Sequence, residues 1–321
     1  MSRSTDAGHF FQTSDALATT DRKAAKSKNK HGNPLKLTSK ILAVLPESGG
    51  AASSGVGKCV VLAGLATAPL TSLALCEELG CLFAGCWDKR IHAFPLASHT
   101  NTAAGADGEQ QPQQQQQQPA PPPLAAHTDF VKCVLTASLD GQPILLSGAA
   151  DATIIIWDLQ TRTPLHKLKG HVKALQDLAI DPFSLPEQGG AATSFELFSA
   201  SSDREIRRWF ISRTAAYELP ESLEKPILAH ETSVYKLRFD GSGDLWTASA
   251  DKTAKHLIRD RGWEAETVLP HPDFVRDVVV AELAGVVVTA CRDEEVRVWG
   301  LGSGELVCVY EGHFEEVMAL G

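Results

Sequence analysis

The sequence predicts an all-β protein assembled from several copies of one unit of short strands. The first observation is the stretch Ala126–Leu159, where a histidine, apolar runs, a turn and an aspartate follow one another. The second is that this order recurs roughly every 40 residues, a period typical of repeat architectures. The third is that alternating, strand-like runs dominate the chain and no long stretch has helical periodicity.

Composition narrows the classes of function. The chain has 321 residues, 43% of them hydrophobic, and a formal net charge of −9. A negative charge opposes binding to a nucleic-acid backbone. Without an apolar run of about 18 residues or the apolar core of a secretory signal, no membrane span or export is expected. The seven cysteines form no CxxC pair with nearby histidines, which predicts buried free thiols, no metal site and an intracellular location, cytoplasmic or nuclear.

The first part of the N-terminal region is predicted to have little structure. Residues 1–34 are polar and small, which indicates a disordered tail. Seven basic residues and no acid lie between Arg22 and Lys40, which fits either a nuclear-import patch or a solvated tail. Strand-like runs follow at Lys40–Leu45 and Lys58–Leu65.

Two insertions interrupt the repeat domain, which we place at residues 35–321. Residues 97–124 contain six consecutive glutamines and a proline cluster, and are predicted to be a disordered insertion between units. Residues 181–196 are predicted to enlarge the loop between the first two strands of one unit, where extra length costs little free energy.

Several positions recur in the units at fixed spacing. A small or hydroxyl side chain stands four residues before a turn aspartate, and an apolar or aromatic one six residues after it. The histidines that open the later units are His127, His171, His230, His271 and His313. The turn aspartates are Asp88, Asp151, Asp203, Asp251 and Asp293.

Together these marks resemble the WD40-repeat family over about residues 68–321, outside the two insertions. The residues that carry the resemblance are Gly170-His171, Gly312-His313, Ser147–Asp151 (SGAAD), Thr247–Asp251 (TASAD) and Trp157-Asp158. The resemblance implies a β-propeller of four-stranded blades, with five recognisable repeats and the start of a sixth at Glu311-Gly312-His313.

The family also implies a buried, hydrogen-bonded tetrad of histidine, hydroxyl, aspartate and tryptophan in each blade. A buried carboxylate needs donors, and imidazole, hydroxyl and indole N–H all donate. The expected complete tetrads are His127/Ser147/Asp151/Trp157, His171/Ser199/Asp203/Trp209 and His271/Thr289/Asp293/Trp299. The fourth unit has His230, Thr247 and Asp251 but Leu257 in place of tryptophan, and the first keeps Asp88 alone.

A hydrolase with a Ser/His/Asp triad is the competing interpretation of the same residues. A catalytic triad is needed once and must be reached by substrate, whereas this set recurs in successive units. There is no G-x-S-x-G elbow and no phosphate-binding loop. We therefore expect structural tetrads, no enzymatic activity and no cofactor.

Two explanations are compatible with the position of the last unit. The explanation that we favour is that the chain is C-terminally incomplete. The other is that the N-terminal strand-like runs complete the last blade, as is usual in the family. The second explanation predicts that Lys58–Leu65 pairs in the sheet containing Val317–Leu320. Open arcs of blades expose apolar surface, so closure in some form is expected.

The resemblance implies a platform for protein–protein contacts on the face next to the tetrads. Two positions per unit are expected there, the residue before the turn aspartate and the residue five beyond the histidine. The candidate partner-binding residues are Trp87, Lys132, Gln176, Tyr235, Arg276 and Arg292. Aromatic and arginine side chains are typical of interface hot spots, and we expect Lys132 to join the two arginines across the central channel.

The predicted function is a non-catalytic interaction scaffold that binds partner proteins or peptides on one face of the propeller. The alternative is a reader of ubiquitin or of an acidic or phosphorylated peptide in protein degradation or signalling. Three segments, FAGCWDKRIHAFPL, TASADKTAK and CVYEGHFEEVMAL, are loosely similar to the ubiquitin-binding propeller of phospholipase A2-activating-protein relatives. A phosphate or carboxylate ligand would suit paired arginines. No nucleic acid or membrane partner is expected.

Overall fold

Five four-stranded antiparallel sheets make up the part of the chain that the structure describes. A computed structural model defines residues 68–96, 121–186, 191–313 and 316–320. Within each sheet the strands are hydrogen-bonded in chain order, first to second to third to fourth. This confirms the predicted fold class, a β-propeller with one blade for each of the five legible units.

Each sheet consists of four consecutive strands. The first contains β1 (Leu70–Cys76), β2 (Cys81–Cys86), β3 (Arg90–Pro95) and β4 (Leu124–Ala125). The second contains β5 (Val131–Leu139), β6 (Gln142–Ala149), β7 (Thr153–Asp158) and β8 (Thr163–Lys169). The third contains β9 (Leu175–Ile180), β10 (Ser194–Ser201), β11 (Ile206–Ser212) and β12 (Ala216–Glu218). The fourth contains β13 (Val234–Phe239), β14 (Leu245–Ser249), β15 (Thr253–Ile258) and β16 (Glu264–Pro270). The fifth contains β17 (Val275–Ala281), β18 (Val286–Cys291), β19 (Glu295–Gly300) and β20 (Leu306–Glu311).

Helices in the described ranges are confined to connections. One α-helical turn, α1 (Pro220–Glu224), follows β12. Single 3₁₀ turns lie at Pro182–Ser184, Arg259–Arg261 and Glu282–Ala284. None of these helices is long and apolar enough to cross a bilayer.

The core lies between consecutive sheets, which pack face to face. The first strands of successive sheets contact one another, so they are innermost and surround a common axis. Each tetrad tryptophan packs toward the preceding sheet: Trp157 lies with Phe83 and Ile91 of the first sheet, and Trp209 lies with Ile156 of the second. The six cysteines in the described residues are free thiols, and four of them are buried as predicted, whereas Cys81 and Cys308 are only half-buried.

Both insertion boundaries differ from the prediction. β4 pairs with β3 at Arg90 and Ile91, so the glutamine- and proline-rich insertion falls inside the first blade, not between units. Leu124, predicted as part of the insertion, is strand because its buried side chain packs with Ile91 in the core. The predicted loop at 181–196 is shorter by three residues, since β10 begins at Ser194 and the buried Phe195 belongs to the core.

The predicted sixth unit does not begin with a strand in the described residues. Residues 316–320 run beside the fifth sheet, where the Val317 N–H donates to the Cys291 carbonyl at 3.3 Å. The Leu320 N–H donates to the Asp277 carboxylate at 2.9 Å. The tail 1–34 and the runs Lys40–Leu45 and Lys58–Leu65 lie outside the described residues, so their predictions, including blade closure, stay predictions.

Candidate functional site

The turn between the second and third strands has the same construction in all five sheets. Its aspartate accepts a hydrogen bond from the backbone N–H two residues further on, at 3.0–3.2 Å. The residue after the aspartate has a left-handed backbone, with φ between 61° and 82°. That conformation costs about 1 kcal/mol or more in a residue other than glycine. The side-chain bond offsets this cost, which accounts for Asp88 in a unit that lacks its histidine.

A chain of four buried side chains runs through the third sheet. The Trp209 Nε1–H donates to Ser199 Oγ at 2.8 Å, and Ser199 Oγ lies 2.7 Å from His171 Nε2. His171 Nδ1 lies 2.8 Å from the Asp203 carboxylate. Every group is satisfied when Nδ1–H donates to the carboxylate and the serine hydroxyl donates to Nε2. The second sheet repeats the arrangement with His127, Ser147, Asp151 and Trp157.

These networks lower the pKa of their carboxyl groups and, in the second and fourth sheets, of their imidazoles. Burial opposes the charge of Asp151, but the Thr128 backbone N–H, the Thr153 hydroxyl and His127 outweigh it and hold the pKa of that carboxyl at about 2. Imidazole and amide hydrogen bonds likewise outweigh burial and lower the pKa of Asp203 and Asp251. Burial lowers the pKa of the His127 and His230 imidazoles. Since Ser147 and Ser199 are fully buried, no substrate reaches their hydroxyls.

The fourth sheet contains a three-membered network. His230 Nε2 lies 2.7 Å from Thr247 Oγ1, and Nδ1 lies 2.8 Å from Asp251. Leu257 occupies the tryptophan position and packs with Phe198 of the third sheet. An aromatic cluster fills the same interface, with Trp263 and Phe239 at 5.1 and 5.0 Å from the Phe198 ring.

The predicted tetrad of the fifth sheet is incomplete. His271 Nε2 lies 2.8 Å from Thr289 Oγ1, and Trp299 donates to the same hydroxyl at 2.9 Å. His271 Nδ1, however, donates to the Leu269 carbonyl at 3.0 Å and not to Asp293. The Arg297 guanidinium donates to both oxygens of Asp293, at 3.2 and 2.7 Å. A permanent cation with paired donors outcompetes a neutral imidazole for the carboxylate.

The first sheet pairs its aspartate with a different histidine. His92 Nε2 lies 2.7 Å from Asp88, four residues along the chain. Cys86 completes a group of three ligand atoms within 4.8 Å of one another, which invites comparison with a metal site. The corresponding residues of the fifth sheet are Cys291, Asp293 and Arg297, where the third side chain is a cation that cannot bind a metal. We therefore interpret the cluster around Asp88 as a pairing of His92 with the turn carboxylate, equivalent to the pairing of Arg297 with Asp293.

A β-bulge occurs at the same place in the first strand of every sheet. In each strand one residue is left without a partner, so that two residues face one on the second strand. Bulges change the direction in which side chains leave a strand, and these bulges lie next to the turns between the second and third strands. The bulged residues are Thr71, Lys132, Gln176, Tyr235 and Arg276.

Four of these five residues are predicted partner-binding residues, and Thr71 was missed. The first unit has no opening histidine from which to count, so the position five beyond it could not be assigned. Counting back from the turn aspartate does not locate it either, because the interval is 17 residues for Thr71 and Arg276 but 16 for Tyr235, 19 for Lys132 and 27 for Gln176. The Thr71 hydroxyl donates to the Val131 carbonyl at 2.7 Å and links the first two sheets.

A second repeated bond joins the residue before each turn aspartate to the segment just before the bulge of the same sheet. Its N–H donates to the carbonyl of the residue two positions before the bulge, at 2.8–3.1 Å. The donors are Trp87, Ala150, Ser202, Ala250 and Arg292, and the acceptors are Pro69, Phe130, Ala174, Ser233 and Phe274. Both predicted sets of residues therefore lie beside one another in every sheet.

Some of the six predicted binding residues are brought together. The Arg276 guanidinium lies over the Tyr235 ring at 4.7 Å and donates to Glu316 at 3.1 Å. Gln176 donates to Ser202 at 2.8 Å. The other three are not joined to this group: Arg292 lies over Phe274, Trp87 stacks on Phe130, and Lys132 has no recorded contact with either arginine in the described ranges.

Comparison with known proteins assigns the family. The pattern for the WD domain, G-beta repeat, matches residues 122–158. A WD repeat-containing protein of Schizosaccharomyces pombe is 30% identical over 96% of this chain and 82% of its own length. The chain belongs to the WD40-repeat family.

More distant WD40 relatives match shorter parts of the chain. The nuclear distribution protein nudF of Aspergillus niger is 28% identical over 59% of this chain, and pre-mRNA-processing factor 19 of Mus musculus is 26% identical over 53%. The matches cover only 39% and 31% of those two proteins.

The tetrad hydroxyls differ in how many partners they hold, which gives a testable contrast. Ser199→Ala leaves two buried groups unpaired, Trp209 Nε1–H and His171 Nε2, and we expect it to lower the free energy of unfolding by about 2–3 kcal/mol. Thr247→Val keeps the side-chain shape and leaves only His230 Nε2 unpaired, for a loss of about 1 kcal/mol. Urea unfolding followed by tryptophan fluorescence compares them. Equal losses of unfolding free energy in the two variants would contradict a stabilising contribution from the Trp209–Ser199 hydrogen bond.

Proposed function

We propose that the chain is a non-catalytic interaction scaffold that binds partner proteins or peptides on the face formed by the turns and the bulged residues. The observation that supports this most is the β-bulge repeated in all five sheets. The backbone of the bulge is the same in every blade, whereas the side chain at the bulged position differs from blade to blade. A rigid platform with variable side chains suits selective recognition.

The electrostatics of the face support an acidic or phosphorylated peptide as one class of partner. Arg276 is held over the Tyr235 ring and donates to Glu316 through one terminal nitrogen, Nη2, of its guanidinium. Arg292 is exposed at the neighbouring turn. Arginines held in place with donors to spare suit carboxylate or phosphate groups.

Ubiquitin is the second partner within this proposal, supported by the sequence similarity to ubiquitin-binding propellers. Titration of the full chain with ubiquitin, followed by backbone amide shifts of labelled ubiquitin, tests it directly. Unchanged spectra at high ubiquitin concentration would remove this partner and leave the acidic peptide. An intracellular site of action, cytoplasmic or nuclear, belongs to the same proposal and is supported by the unpaired cysteines.

Alanine replacement of Trp87, Tyr235, Arg276 and Arg292 together tests the scaffold. We expect loss of specific partners in an affinity pull-down read by mass spectrometry, because hot-spot truncations cost about 2 kcal/mol or more each. Thermal stability should change little, since these side chains are at least partly exposed.

A matched control replaces four exposed residues away from the bulges, Tyr217, Leu223, Leu228 and Arg261, by alanine. The control should keep every partner. Retention of the same partners by both variants would contradict the proposed binding face.

A further inference from the structure

An exposed aromatic pair lies on the binding face at the boundary between the first and second sheets. Trp87 and Phe130 stack with ring centroids 5.4 Å apart and planes 18° apart. The two side chains are nevertheless 42% and 39% exposed. Backbone bonds fix both residues, since the Trp87 N–H donates to the Pro69 carbonyl and the Phe130 carbonyl accepts from Ala150. Large rings held rigidly and left open to solvent have the properties of interface anchors.

Cations lie next to this pair in the sequence. Lys89 and Arg90 are exposed in the turn that carries Trp87, and Lys132 is the bulged residue two positions after Phe130. The nearby carboxylates already have partners. Asp88 contacts His92 and accepts from the Arg90 N–H, and Asp129 accepts from the Phe130 N–H.

Three cations against two carboxylates leave a net charge of 3 − 2 = +1 around the pair, and none of the three cations forms an ion pair with a described residue, in contrast with Arg276. That arginine is paired with Glu316 of the same chain, so part of its charge is already neutralised. Around Trp87 and Phe130 the local charge is positive although the whole chain has a net charge of −9. Complementary charge selects the partner and accelerates association.

We propose that the Trp87–Phe130 pair is the anchor subsite of the binding face and receives one large apolar side chain from an acidic segment of a partner protein. This inference rests on the proposed function and names the chemistry of the partner. The apolar side chain packs on the two rings, and the flanking carboxylates reach Lys89, Arg90 and Lys132. Burial on the rings resists salt, whereas the exposed charge pairs are screened over about 8 Å at physiological ionic strength.

Fluorescence anisotropy of the full chain with labelled peptides tests the subsite. The first peptide has a central leucine flanked on both sides by glutamates. A second has serine in place of the leucine, and a third has lysines in place of the glutamates. We expect the first peptide to bind and the other two to bind at least about tenfold more weakly, because each lacks one of the two contributions.

Variants separate the rings from the charges. Trp87→Ala with Phe130→Ala should weaken the leucine peptide about thirtyfold, the usual consequence of losing a hot spot. Lys89→Gln, Arg90→Gln and Lys132→Gln together should weaken binding and remove most of its dependence on salt. The matched control is Phe210→Ala with Tyr217→Ala, which removes another stacked pair, with ring centroids 5.1 Å apart, from the third sheet. That control should bind as the unaltered chain does.

The outcomes distinguish this inference from the scaffold itself. Absence of binding, equal binding of the lysine peptide, or full binding by the Trp87→Ala, Phe130→Ala variant would overturn the anchor subsite. A Tyr235→Ala, Arg276→Ala, Arg292→Ala variant that loses cellular partners while the aromatic variant keeps them would overturn the subsite and leave the scaffold standing. If both variants keep all partners, both proposals fail. Circular dichroism confirms that each variant is folded.

Discussion

Asp203→Ala is expected to lower the free energy of unfolding by about 3 kcal/mol, because the buried His171 and two backbone N–H groups lose a charged acceptor together. The carboxylate accepts from His171 at 2.8 Å and from the backbone N–H groups of Val172 and Glu205 at 3.0 and 3.1 Å. It also offsets the left-handed backbone of Arg204. Urea unfolding monitored by circular dichroism measures the loss.

The matched comparison is Asp293→Ala in the fifth sheet. Arg297, the main partner of Asp293, also contacts Glu295, and His271 does not depend on the aspartate. The expected loss is about 1 kcal/mol. If Asp293→Ala proves as damaging as Asp203→Ala, the pairing found in the fifth sheet is wrong.

The protonation of His271 alone is expected to lower the free energy of unfolding by about 3 kcal/mol as the pH drops from about 6.5 to about 4. Burial lowers the pKa of this imidazole to about 4, and the Arg297 cation acts in the same direction. In the unfolded chain the ring takes up its proton near pH 6.5. Between these values the unfolded state binds more protons, so acid favours unfolding. Above about pH 6.5 both states are neutral and the contribution disappears.

The substitution His271→Gln should flatten the pH dependence in this window, whatever it does to stability at pH 7.5. His166→Gln serves as the control, since His166 lies outside the tetrads and bonds the Arg213 carbonyl at 3.0 Å. Denaturant midpoints at several pH values between 7.5 and 4.5 give the slopes. A slope in His271→Gln as steep as in the unaltered chain would show that another group dominates.

Much of the fold was predictable because each blade is local in sequence. The four strands of a sheet are consecutive and antiparallel, so apolar runs separated by short turns specify their order. The turn aspartates were predictable for the same reason, since each bonds a backbone N–H two residues away. The boundaries of the insertions were not, because Leu124 and Phe195 become strand only through burial in the core.

The tetrads show that the spacing of residues in the sequence does not predict every hydrogen-bond partner. His171 and His271 stand at corresponding positions, yet one bonds its aspartate and the other a backbone carbonyl. An arginine stands four residues after the aspartate in both sheets. Arg207 donates to Glu205 and Glu218 and leaves Asp203 to His171, whereas Arg297 donates to Asp293 and Glu295. Choosing between two donors requires their distances to the carboxylate, which spacing alone does not supply.

The sequence by itself determined the repeat, the number of legible blades and the residues that cap each turn, since these depend on neighbours along the chain. The tertiary structure alone decided which aspartate pairs with which base and that the Arg276 guanidinium lies over the Tyr235 ring. It also decided that Trp87 stacks on Phe130 of the next sheet. Contacts between sheets depend on how two separately folded blades pack, and no spacing within one blade specifies that geometry.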